Sequence, residues 1–188
     1  MKYKKYPSYK DSGVEWLGDI PEHWELKAIK NVVKLQGGFA FKSEEFIDEG
    51  TPIIRIGDIQ NNILFENCKK IKNSYELSCI YEIKKFDTLI ALSGATTGKT
   101  CFVENNIQKS FINQRVARLP YKNKFIYFIL NSDLFQKNIL LTADGSAQDN
   151  ISNSQIENMK FSLPSIKEQQ QIANFLDKAT AKIDTLIE

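Results

Sequence analysis

The stretch Ser93-Gly94-Ala95-Thr96-Thr97-Gly98-Lys99-Thr100 ends as a phosphate-cradling loop ends, in glycine, lysine and threonine. Such a loop reads G-x-x-x-x-G-K-[ST], because its backbone N–H groups must curl around a phosphate before a helix begins. Here three residues separate Gly94 from Gly98, so the loop is one residue short, and Ser93 stands where the first glycine belongs. The next residues, Cys101 to Glu104, favour a strand over the helix that an anion site requires. Nucleotide hydrolysis through Gly94–Thr100 stands as an alternative to a tight turn joining two strands. A second catalytic alternative is a Mg²⁺-dependent nuclease. Asp58 with Glu82-Ile83-Lys84 formally matches an aspartate followed by an acid-x-lysine pair, in which two carboxylates hold the metal and the lysine supports the attacking water.

Other chemistries find little to work with. The single histidine, His23, lies beside Trp24 and reads as a packed or surface residue, so triads and histidine metal sites are not supported. No Pro-Pro occurs, which removes the clamp expected of an enzyme that flips a base. What the loops do carry is amide and hydroxyl chemistry, in Ser93–Lys99, in Asn113-Gln114-Arg115 and in Gly145-Ser146-Ala147-Gln148-Asp149-Asn150. Asn and Gln match adenine with two hydrogen bonds, Arg and Lys match guanine and phosphate, and glycine lets backbone amides approach a phosphodiester. The same residue types also make turns.

These residues need elements to hold them. The chain of 188 residues, 42% hydrophobic, suits one domain with an appendage. Charge is nearly balanced, 25 basic against 23 acidic residues, so no overall field announces nucleic acid. Locally, Lys99, Lys109, Arg115, Arg118, Lys122 and Lys124 face only Glu104, while Glu44, Glu45, Asp48 and Glu49 gather upstream. Cys68, Cys79 and Cys101 form no C-x-x-C pair, which fits a reducing cytoplasm better than a zinc ribbon or a disulfide framework. No apolar run is long enough for a membrane span or a leader, and a cytoplasmic protein is expected. Tyr6 to Glu25, rich in Tyr, Trp, Gly and Pro, predicts an extended arm pinned by its aromatic residues. Strands are predicted over 52–59, 87–92, 101–104 and 111–119, and helices over 124–141 and 152–159 with Asn150 or Ser152 as cap. Phe39 and Phe41 read as core residues.

The end of the chain changes character. Ser165-Ile166-Lys167-Glu168 is an S-x-x-E capping box, with the serine oxygen accepting from the third amide and Glu168 reaching back to the serine N–H. Ile172, Leu176, Ala179, Ile183 and Leu186 then recur at spacings of 4, 3, 4 and 3, the seam of a coiled coil. A helix of this length extends about 36 Å, too far for a small domain to cover.

Several strings taken in order resemble the specificity subunit of type I restriction-modification enzymes: GVEWLGDIPEHWE, GGFAFKSEEF with GTPIIRIGDI, FDTLIALSGATTGKTCFV, INQRVARLP, and GSAQDNISNSQIENMKFSLPSIKEQQQIANFLDKATAKIDTLIE. The resemblance implies a mixed α/β target-recognition domain over 1–163, opening with the arm of 1–25, and the start of a spacer helix over 164–188. It implies no catalysis and no cofactor in this chain. It further implies double-stranded DNA as ligand, with methyltransferase subunits, and through them the restriction subunit, as partners that use S-adenosylmethionine, ATP and Mg²⁺. Family members typically carry two such domains and two spacers, so this chain resembles half a subunit. Two copies, or this chain and another half-subunit, are expected to pair through Ile172, Leu176, Ala179, Ile183 and Leu186. The DNA face is expected to include Lys42, Arg55, Ser93, Gly94, Thr96, Thr97, Gly98, Lys99, Gln148 and Asn150, with Lys99 or the Gly94 and Gly98 amides on phosphate and Gln148 reading a base. For Arg55 a pair with Asp58 is the competing assignment.

Overall fold

The computed structural model describes residues 5–60, 63–104, 108–143 and 150–187. Its strands are short because turn-forming residues interrupt the apolar runs. The central sheet has the order β4 (Gln36–Gly37), β10 (Val116–Leu119), β7 (Thr88–Ala91), β8 (Thr100–Phe102), with every pair antiparallel. Both faces of β7 and β10 are covered, and period-two alternation sends neighbouring side chains to different cores. Ile90, Ala117 and Leu119 join one hydrophobic cluster, while Leu89, Ala91 and Val116 join a second. Arg118 shares the face of Val116, and there it meets Asp87 at 2.8 Å while its Nε donates to the Ile80 carbonyl. Burial raises the Asp87 carboxyl above its usual range, outweighing the bonds from the Lys84 amide and from Arg118.

The first cluster is filled from four helices, α1 (Lys124–Leu130), α2 (Asp133–Ala143), α3 (Asn153–Asn158) and α4 (Ile166–Ile187), through Phe125, Phe135, Ile139, Ile156 and Ala173. A second sheet places β5 (Thr51–Ile54) between antiparallel β6 (Lys69–Ile71) and parallel β9 (Phe111–Ile112). Beside it a third cluster holds buried Phe41, with Phe39 edge-on and Tyr75 tilted against it and Tyr81 edge-on to Phe39. Both phenylalanines of GGFAF are thus packing residues. Gly38 is required in that segment, because a Cβ there would fall 2.1 Å from the Asn113 carbonyl oxygen. Strand β3 (Glu25–Ala28) pairs with β11 (Lys160–Leu163), tying the start of the domain to the approach of α4.

The elements differ from the sequence expectation in five places. The arm folds back on itself, with β1 (Tyr9–Asp11) antiparallel to β2 (Asp19–Pro21), and Trp16 in the connection sits edge-on to Phe135. The run 52–59 stops being a strand at Ile54, because Asp58 Oδ2 accepts from the Arg55 amide at 2.9 Å and closes a 3-10 turn over Ile56–Asp58. The run 111–119 splits at a turn in which the Val116 amide donates to the Asn113 carbonyl, and its halves enter different sheets. The helix expected over 124–141 breaks at Asn131-Ser132, where Ser132 Oγ accepts from the Phe135 amide at 3.4 Å and starts α2 afresh. In the capping box, Ser165 Oγ accepts from the Glu168 amide at 3.3 Å, but the Glu168 carboxylate turns away to the arm. Helix α3 begins as anticipated, with Ser152 Oγ accepting from the Gln155 amide.

Candidate nucleic-acid interface

The string SGATTGKT is the tip of the β7–β8 hairpin. The Gly98 amide donates to the Ala91 carbonyl and the Ala91 amide donates to the Lys99 carbonyl, both at 2.9 Å, so the strands close immediately behind the tip. Inside it Gly94–Thr96 forms a 3-10 turn, and the Thr97 hydroxyl donates to the Gly94 carbonyl at 2.8 Å. Past the tip the chain enters a strand, Thr100–Phe102, and not the helix a phosphate-cradling loop feeds. With its N–H engaged in the hairpin, Gly98 offers no amide to a phosphate. Its role is steric, since a Cβ there would lie 2.9 Å from Gln136 Oε1 on α2. Thr97 is buried in the turn, whereas Thr96 is half-buried and the Lys99 side chain is exposed.

Three distant segments converge on this tip. Ser93 bridges Asn150 in antiparallel fashion, and the Ile151 amide donates to the Leu92 carbonyl at 2.9 Å. From the other side the Leu92 amide donates to the Arg115 carbonyl, which brings exposed Gln114 and Arg115 to the same edge. The Ile56–Asp58 turn packs against the Gly94–Thr96 turn, with a Cβ on Gly94 only 3.6 Å from Ile56 Cδ1. Arg55, at the base of that turn, pairs with Asp58 at 3.4 Å and keeps its side chain half exposed. Ser93 Oγ is buried with no hydrogen-bond partner among the described residues. Exposed Lys42 precedes the Ser43–Glu45 turn, next to Phe41 of the third cluster, and is not part of the hairpin sheet. Gln148 lies outside the described residues. Arg115 belongs to a loop recognised in the sequence as amide-rich, yet only the register of β7 with β10 reveals that it neighbours Ser93.

Of the nuclease alternative, the Asp58 carboxylate is already committed within the fold. The Asp58 carboxylate holds Arg55, Glu82 bridges Phe111 through its backbone, and the Lys84 amide donates to Asp87. Among the described residues no group of three His, Cys, Asp or Glu side chains could hold a metal ion, and no helix is long and apolar enough to cross a membrane.

Helix α4 leaves the domain from a polar clamp. Glu168 accepts from the Tyr6 hydroxyl at 2.6 Å and Trp24 Nε1 at 3.2 Å, and lies 3.1 Å from His23 Nε2. Burial alone would raise this carboxyl, but the three arm groups outweigh it and hold it below its ordinary range. Buried Gln169 accepts from the Tyr121 hydroxyl at 2.8 Å, and Lys124 bonds Asp177 at 2.7 Å and also Glu104. Beyond the clamp Ile172, Leu176 and Ala179 are half-buried, while Ile183 and Leu186 are 56% and 79% exposed.

Known proteins share this outline. Residues 21–188 match the family described as "Type I restriction modification DNA specificity domain". The chain is 29% identical over 195 residues to the type I restriction enzyme MjaVIII specificity subunit of Methanocaldococcus jannaschii, covering 98% of this chain and 44% of the relative. It is 27% identical over 184 residues to the EcoKI specificity subunit of Escherichia coli K12, covering 89% and 38%. The chain thus spans less than half the length of these curated relatives. Its fold is that of the HsdS subunit from Thermoanaerobacter tengcongensis, with a TM-score of 0.67 at 17% identity over 95% of this chain and 41% of that one.

Proposed function

Since the chain belongs to the family of type I restriction modification DNA specificity domains, we propose that it is a non-catalytic DNA reader that recognises one half of a bipartite duplex site. The convergence of Lys99, Thr96, Arg55, Arg115 and Asn150 on one hairpin edge supports this reading. Lys99 anchors a phosphate, because its side chain is exposed and makes no ion pair among the described residues. Thr96 and Asn150 lie against sugar or base edges. Strand pairing fixes the edge from behind, so the polar groups arrive with little left to order on binding. Helix α4 carries the reader to methyltransferase subunits and, through them, to a restriction subunit. S-adenosylmethionine, ATP and Mg²⁺ are used by those partners. Two copies, or this chain and another half-subunit, pair along Ile172, Leu176, Ala179, Ile183 and Leu186.

The test is duplex binding measured by fluorescence anisotropy across a salt series. Phosphate neutralisation releases counterions, so affinity should fall steeply with salt, and Lys99→Ala should weaken all sequences alike and lower the slope by about one. No duplex binding, alone or with a methyltransferase subunit, would overturn the proposal. Turnover of ATP or of a phosphodiester by the purified chain would overturn its non-catalytic part.

A further inference from the structure

A groove of about 850 Å³ runs beside the hairpin tip, lined by Gly57, Gln60, Thr96, Lys99, Asn131 and Gln136. Three carboxamides line it, and their states differ. Asn131 Nδ2 donates to Thr100 Oγ1 at 2.5 Å and to the Tyr127 carbonyl at 2.8 Å. Gln136 Nε2 donates to the Gly98 carbonyl at 2.9 Å and to the Leu130 carbonyl at 2.6 Å. A carboxamide has two N–H bonds to give, so both of these have given all they have. Gln60 is exposed and makes no hydrogen bond among the described residues.

From this contrast we infer that Gln60 is a specificity-determining residue that reads the major-groove edge of an adenine, while Asn131 and Gln136 hold the hairpin and the helices beside it in place. The inference rests on the DNA-reading function proposed above. Pairing with adenine takes one donated N–H, to N7, and one accepted N–H, from N6. Of the three amides only Gln60 has both capacities open. It directly follows a held segment, because Ile59 is 2% exposed and the Ile56–Asp58 turn is closed by the bond from the Arg55 amide to Asp58. In the same groove Gln136 grips the carbonyl that immediately precedes Lys99, which fixes the point from which that cation extends. A base reader and a phosphate anchor thus line one cleft, and the other two amides that line it are tied into the fold.

Selection from a random duplex library, with sequencing of the bound fraction, tests this on the full chain and three variants. Gln60→Ala should erase an adenine preference at one position, about tenfold or more in relative affinity, with the other positions and the salt slope unchanged. Gln60→Glu should turn that position towards cytosine, whose N4 amino group a carboxylate accepts. Lys99→Ala should leave every positional preference in place and lower overall affinity. A Gln60→Ala profile identical to that of the unaltered chain would overturn the role of Gln60 while leaving the DNA-reading function standing. An unaltered chain that selects no sequence, either alone or with a methyltransferase subunit, would overturn both.

Discussion

Gly94 and Gly98 do different work within one short string. Both have positive φ, 72° and 83°, a region that costs an L-residue about 1–2 kcal/mol. At Gly94 a methyl group would meet only Ile56 Cδ1 at 3.6 Å, an ordinary contact. At Gly98 it would press on Gln136 Oε1 at 2.9 Å and Ile139 Cγ2 at 3.2 Å, displacing the amide that holds the hairpin to α1 and α2. Gly94→Ala should therefore destabilise the protein by about 1–2 kcal/mol, and Gly98→Ala by about 1 kcal/mol more for the disturbed hydrogen bonds. Urea denaturation of both variants checks the order, and equal losses would count against the Gln136 contact. The turn was legible in the sequence, since glycine spacing, threonines and β-prone flanks all point to it. The direction in which Gly98 presses was not, because Gln136 is 38 residues away and nothing local encodes that approach.

At the scale of elements, what could be read from the sequence and what could not divide along the same line. Ser152 was identifiable as a cap because its partner lies three residues on, and the seam of α4 because helical periodicity is local. The break inside 111–119 was hidden, since β-prone residues flank a turn whose halves are pulled into two sheets by partners far along the chain. Glu168 is the sharpest case. Its place in a capping box is correct, yet its carboxylate serves an arm whose Tyr6 lies 162 residues away. The fastening of the arm to α4 should consequently depend on that one side chain. With Glu168→Ala, amide hydrogen exchange in β1 and β2 should accelerate roughly tenfold, while β7 and β10 stay protected. The same contact sets a pH limit on each side. The folded-state carboxyl is held low, so its contribution is present above the usual carboxylate range and is lost as pH falls through the lowered value. The Tyr6 hydroxyl is raised, chiefly by burial and then by Glu168, to about 12 from its ordinary 10, so its contribution is intact below 10 and is lost as pH rises towards 12. Faster arm exchange outside both limits, and steady exchange between them, is the expected profile.

At the scale of the whole molecule, the first half of α4 is governed by the domain and the second half is not. Gln169, Ala173 and Asp177 are fastened to Tyr121, to the main hydrophobic cluster and to Lys124, which sets the direction in which the helix leaves. Past that fastening Ile183 and Leu186 continue the 4-3 rhythm into solvent. An apolar seam that extends past the surface able to cover it favours association, and identical chains most often satisfy this with a two-fold axis. Sedimentation at micromolar concentration should then give twice the chain mass. Ile183→Lys with Leu186→Lys should restore the monomer without changing thermal stability of the domain, and Lys99→Ala should leave the dimer intact. Symmetry also constrains what such a pair could read. Two copies related by a two-fold axis present the same hairpin edge in opposite directions along a duplex, so the preferred site must be an interrupted inverted repeat. A strict monomer in sedimentation, or selected sites made of two unrelated halves, would rule out the self-paired arrangement and leave pairing with a different half-subunit.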